Sequence, residues 1–131
     1  MKIKLNKDVK WLEPYLKAAD SFVPIRRISS VIGYQVPFYK TERQYGSITV
    51  HYDKNQININ LLIKTQDLNQ GIHKNARMAN VLDSLAHELA HLLEWEHTPE
   101  HLMLQAKLLM CFAKVSKELK VKDLSLRLKN V

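Results

Sequence analysis

The stretch His87-Glu88-Leu89-Ala90-His91 constrains this chain more than any other, because it falls inside an amphipathic helical period. From about Asn75 onward, Met78, Val81, Leu82, Leu85, Leu89, Leu92 and Leu93 recur at helical offsets of three, four and seven. At about 100° per residue, with His87 at zero, His91 falls near ~40° and Glu88 near ~100°, while the apolar residues span roughly 120° to 240°. One helix must therefore divide a core face from a face carrying two imidazoles and a carboxylate. Any fold has to bury the first side and open the second to a cleft.

Residues four apart on a helix share a face, so His87 and His91 can bind one metal ion, with Glu88 beside it as a proton acceptor. In a chain drawn at random at this composition the pattern HExxH arises roughly 1.4% of the time, so it needs a third ligand to carry weight. His97 supplies one, and requiring it lowers that frequency to roughly 0.07%. Three neutral imidazoles with an open fourth position describe a catalytic zinc site, one ion per chain. A continuous helix would point His97 near ~280°, away from the pair. Pro99 disfavours helical geometry at Thr98, and Thr98 is a good N-cap, so the chain is expected to turn after about Trp95 and fold His97 back. The competing third ligands are Glu94, Glu100, His101 and Glu118. Glu118 stands 27 residues after His91 in the next helix, where a gluzincin-type glutamate would sit.

The rest of the chain reads as one domain, 1–131, of α+β class. Asp8 to Phe22 has helical spacing, with Pro14 in its first turn or bending it, and Pro24 closes the segment. Ile28–Phe38, Gly46–Tyr52 and Ile57–Ile63 read as strands, the last two joined by the polar turn Asp53-Lys-Asn-Gln56 into a hairpin. Thr65–Lys74 reads as a loop. A final helix starts at Thr98-Pro99, with one apolar stripe of Leu108, Phe112, Val115 and Leu119 and a second of Leu102, Leu109 and Ala113. Such a helix should be wedged into the core, with Met103 and Met110 inside it. Beyond Lys122 the alternation Leu124, Leu126, Leu128 suits a strand or a short helix. The expected architecture is an N-terminal helix and a small, mainly antiparallel sheet packed on the HExxH helix, with the last helix behind.

With a single cysteine, Cys111, the chain can form no internal disulfide. The N-terminus lacks a signal peptide's apolar core, and no run approaches a membrane span, so the expected setting is the cytoplasm. Net charge is +7. From His101 to Val131 seven Lys or Arg face two acids, giving that part +5 and the first hundred residues +2. Lys107 and Lys114 share a helix face that Lys117 and Lys120 extend, so non-specific DNA is an expected partner. The bland reading of the same residues is a solvated lysine face.

Leu85-Ala-His-Glu-Leu-Ala-His-Leu-Leu-Glu-Trp-Glu-His-Thr-Pro-Glu-His101 resembles the core motif of the SprT-like, WLM and YgjP-type zinc metallopeptidases. Tyr45-Gly46-Ser47, Ile57-Asn-Ile-Asn60 and Leu62 resemble the strands that precede it in those groups. The resemblance covers roughly residues 43–109. His101 stands where those families usually carry an aromatic residue, and no Cys-x-x-Cys zinc ribbon follows. Metzincins share the spacing, but Glu94 replaces their glycine. The resemblance implies a zincin-like endopeptidase with zinc on His87, His91 and His97, and Glu88 as general base. Its substrate would add along an edge strand, Gly46–Tyr52 or Ile57–Ile63, with some members directed by DNA. The alternative is a catalytically silent zinc-containing binding module, against which an intact Glu88 argues. Trp95 borders the site face, and Tyr34, Tyr39 and Tyr45 are candidates for oxyanion stabilisation.

Overall fold

The computed structural model describes residues 2–37, 45–64 and 71–129. Strand β1 (Lys4–Leu5) leads through a 3-10 turn, Lys10–Leu12, into α1 (Glu13–Ala19). Pro14 occupies the first turn of α1, where a missing N–H leaves no intrahelical bond unmade. Strands β2 (Ser30–Val36), β3 (Gly46–His51) and β4 (Gln56–Lys64) follow, then helices α2 (Gly71–Ala90) and α3 (Pro99–Lys129). The β3–β4 hairpin closes through a 3-10 turn at Tyr52–Lys54, and Asn55 adopts the left-handed conformation at φ 51°. Asparagine tolerates that region better than most residues.

The sheet order is β1-β2-β4-β3. Only β3–β4 is antiparallel; β1–β2 and β2–β4 are parallel. A mainly antiparallel sheet is thus the wrong description of a mixed one. The helix α1 joins β1 to β2 as a crossover, and the hairpin docks onto β2 through its second strand, which runs with β2. Alternation of side chains reveals which face of a strand is buried but not which neighbour it takes. In β4 the buried residues are Ile57, Ile59, Leu61 and Ile63, while Asn58 and Asn60 face the other way. Asn58 Oδ1 accepts a hydrogen bond from the Ser30 hydroxyl at 2.7 Å on that second face.

All three helices contribute to the core on the first face. Val31, Ile59 and Leu61 of the sheet join Leu12 and Leu16, then Val81, Leu85 and Leu89 of α2, then Leu108 and Phe112 of α3. Tyr15 ties α1 to α3: its ring stands edge-on to Phe112 at 5.6 Å, and its hydroxyl pairs with Ser116 Oγ at 2.8 Å. Here two expectations fail. Helix α3 buries one stripe, Leu108, Phe112 and Val115, and is not wedged between two layers. Leu102, Met103 and Met110 are exposed because α3 meets its neighbours on one side only, and Leu119, on the buried stripe, is exposed because α3 runs on past Val115, its last buried residue. It then continues as helix through Leu124, Leu126 and Leu128, all exposed. Helix α2 starts at Gly71, earlier than Asn75, and Leu93 lies exposed past its end. Among the described residues no helix is long and apolar enough to cross a membrane.

One close approach fixes how the N-terminal segment crosses the sheet. The Asn6 side chain pairs with both polar groups of Gly33, donating to its carbonyl at 2.8 Å and accepting from its N–H at 3.0 Å. A Cβ on Gly33 would stand 2.7 Å from Val9 Cγ1 and 2.9 Å from Ile63 Cδ1. Val9 is fully buried and β-branched, so it cannot swing aside. Gly33→Ala should therefore destabilise by about 1–3 kcal/mol in urea unfolding, the usual cost of overpacking. An unchanged midpoint would show that this crossing is loose.

Candidate metal centre

The site is built where α2 ends and α3 begins. Helix α2 closes with tightened turns: His91, Leu92 and Leu93 donate to the carbonyls of Glu88, Leu89 and Ala90, at 3.2, 3.0 and 3.2 Å. Ala90 also accepts from Glu94 N–H at 2.9 Å. The turn comes sooner than expected, before Trp95. Thr98 then caps α3, its Oγ1 accepting from the His101 N–H at 3.2 Å while its carbonyl takes the first helical bond from Leu102. Pro99 fills the first helical position and Glu100 the first turn, as the sequence dictates.

This corner gathers four imidazoles. Ligand nitrogens of His87, His91 and His101 all lie within 4.8 Å of one another, close enough to hold a metal ion. His97 joins them from the bend: its Nε2 is 3.2 Å from His87 Nε2, and its ring centroid is 4.9 Å from that of His91. Two nitrogens ~2.0–2.1 Å from one tetrahedral ion stand roughly 3.3–3.4 Å apart, so the His87–His97 spacing fits a shared ion. The opposite nitrogens are engaged. His87 Nδ1 meets Gln105 Oε1 at 3.0 Å, and His91 Nδ1 meets the Glu94 carbonyl at 3.1 Å. Both partners only accept, so each Nδ1 carries the proton and each Nε2 keeps its lone pair for a metal.

His101 is placed differently. It is 3% exposed, and its Nε2 donates to the His87 carbonyl at 3.0 Å. Its ring lies 4.2 Å from that of His91, tilted by 34°, and 4.6 Å from that of His87. Burial holds His101 and His91 below the ordinary histidine range, against the opposing pull of their carbonyl hydrogen bonds, and neighbouring histidine charge adds to the lowering. Both rings are thereby kept neutral, the form that ligates or packs.

Glu88 is 6% exposed and lies beneath the start of β3. Burial raises its carboxyl above the ordinary range, with His87 pulling the other way. A Cβ on Gly46 would sit 3.2 Å from Glu88 Cγ, so a residue without one lets the strand close over this carboxylate. His87, Glu88, His91 and His97 line a cleft of about 680 Å³, flanked by Tyr45 and Gly46 on one side and half-exposed Trp95 on the other.

Among the rival ligands, Glu118 is excluded. It lies 17 residues beyond His101 on the same continuous helix, hence about 25 Å along it, in a groove with Lys114 and Lys122. Glu94 meets His91 by its carbonyl rather than its carboxylate, and Glu100 is exposed. Tyr34 is exposed on β2, and Tyr39 lies outside the described residues. Asp83 and Gln105, which the motif does not include, also border the cleft. Their helical spacing, Asp83 to His87 and His101 to Gln105, is the signal that marks them as neighbours of the site. Comparisons with protein-family models, with curated proteins and with solved structures give no match.

Because the His97 bend depends on where α3 starts, the Thr98 cap matters to both stability and site. Thr98→Ala should cost about 1 kcal/mol in chemical unfolding, as loss of a threonine N-cap usually does. A loss under about 0.3 kcal/mol would mean that Pro99 alone fixes the helix start.

Proposed function

We propose that the protein is a zinc-dependent endopeptidase. The observation that supports this most is the convergence of His87 and His97 Nε2, 3.2 Å apart, next to a buried carboxylate in an open cleft. His87, His91 and His97 hold the zinc, and His101, nearly buried with its Nε2 proton on the His87 carbonyl and only Nδ1 left to ligate, packs behind them. Bound zinc would supply Lewis acidity, polarising a scissile carbonyl and making a water acidic near neutral pH. Glu88 takes the proton of the attacking water and passes it to the leaving amine; its raised basicity suits both transfers. β3 is an edge strand beside the cleft, whereas β4 is internal, so an extended peptide would pair with β3. The resemblance to SprT-like, WLM and YgjP-type peptidases supports the same reading.

Metal analysis should find about one zinc per chain. His97→Ala should weaken zinc binding strongly, while Glu118→Ala should leave it unchanged. Glu88→Gln should keep the zinc yet reduce casein or peptide hydrolysis by at least ~100-fold. Cleavage that survives Glu88→Gln, or zinc that binds undiminished to His97→Ala, would overturn the assignment. Zinc binding without hydrolysis of any of a broad set of peptides would favour a binding module instead.

Helix α3 offers a second expected contact. Lys107, Lys114, Lys117 and Lys120 are all exposed, and this basic helix would contact nucleic-acid phosphates without regard to sequence. Binding of labelled duplex DNA should fall steeply with salt, with a slope near −0.9 per phosphate neutralised. Replacing the four lysines by Gln should abolish it; undiminished binding would place the contact elsewhere.

A further inference from the structure

Histidine binds metal through a nitrogen without a proton, so whatever fixes the His87 tautomer fixes its competence as a ligand. In solution the proton of a neutral imidazole can sit on either nitrogen. At His87 the partner of Nδ1 is the side-chain amide of Gln105, at 3.0 Å. An amide is two-faced: its oxygen accepts and its nitrogen donates. With the oxygen towards His87, Nδ1 holds the proton and Nε2 is free. With the amide reversed, its N–H would donate to Nδ1, and the proton would move to Nε2, facing His97. One contact decides between the two. Gln105 Nε2 reaches Asp83 Oδ1 at 3.5 Å, a long contact, but to a carboxylate that can only accept. Asp83 and His87 are one turn apart on α2, so the same helix presents both the ligand and the group that orients its partner.

We infer that Asp83 and Gln105 are positioning residues for the metal site, acting as a relay in which the Asp83 carboxylate sets the sense of the Gln105 amide, and the amide sets the His87 tautomer. The inference rests on the proposed reading of His87 as a ligand, yet the tautomer itself is a property of the metal-free chain. The relay has one role that packing alone does not explain: it requires an acceptor at position 105 and is indifferent to shape.

Two readouts test it. In the metal-free protein, nitrogen-15 NMR of the His87 ring should show Nδ1 protonated and Nε2 bare. Gln105→Leu should shift that proton to Nε2 and weaken zinc binding ~10–100-fold in chelator competition, the usual cost of losing a partner behind a ligand. Gln105→Glu keeps an acceptor, and should restore both the tautomer and the affinity to within about threefold. Asp83→Ala, on an exposed position and harmless to folding, should move both readouts in the direction of Gln105→Leu by a smaller amount. The relay is overturned if Gln105→Leu leaves the Nδ1 proton in place, or if Gln105→Glu loses as much affinity as Leu. If the tautomer responds as described but the parent protein binds no zinc, the relay stands and the zinc reading falls.

Discussion

The site depends on one joint: the last turn of α2 held by the first two turns of α3. His101 Nε2 takes the His87 carbonyl, Gln105 takes the His87 ring, and Thr98 sets the point from which α3 grows. The His101 and Thr98 contacts have a backbone meaning as well as a chemical one. The carbonyls at a helix C-terminus need donors, and here every one from His87 to Ala90 has one, from the tightened turn or from His101. The same contacts bring the bend carrying His97 against the α2 face. Without the joint, His97 would have no defined relation to His87.

The electrostatics follow from that placement. Grouping several imidazoles with a nearly buried carboxylate is costly unless the rings stay neutral and hydrogen-bonded. Burial keeps His91 and His101 neutral, and each spends one N–H on a backbone carbonyl. Among the described residues no buried side-chain nitrogen or oxygen lacks a partner. The bare nitrogens then converge at the C-terminal end of α2, where the helix dipole favours positive charge. Glu88 adds a carboxylate on the same side. The pocket's chemistry asks for a cation.

Much of this joint is legible in the residues. HExxH on an amphipathic period gives the α2 face, and Thr98-Pro99-Glu100 gives the α3 start. The helical wheel separates Leu85 and Leu89 from His87 and His91, and their burial agrees. What could not be read was pairing between elements. The polar turn Asp53–Gln56 marks the β3–β4 hairpin, but the second neighbour of Ile57–Ile63, β2 in parallel, depends on how the chain closes. The apolar residues of α3 mislead for a related reason. Leu102, Met103 and Met110 sit at helical spacing, but nothing local says that α3 has neighbours on one side only. Glu118 failed as a ligand because its candidacy assumed a helix folded back on the site, whereas α3 runs straight past. Gln105 is not legible as part of the site, because a glutamine on a helix has no chemical signature until an imidazole faces it.

In the proposed site His87, His91 and His97 share one ion while His101 packs behind them. A crystal structure of the zinc-loaded protein, with anomalous differences measured at the zinc edge, tests it most directly. One peak is expected, bonded to Nε2 of His87, His91 and His97, with His101 Nε2 still on the His87 carbonyl. A peak bonded to His101 in place of His97, or one lying outside this cleft, would contradict it.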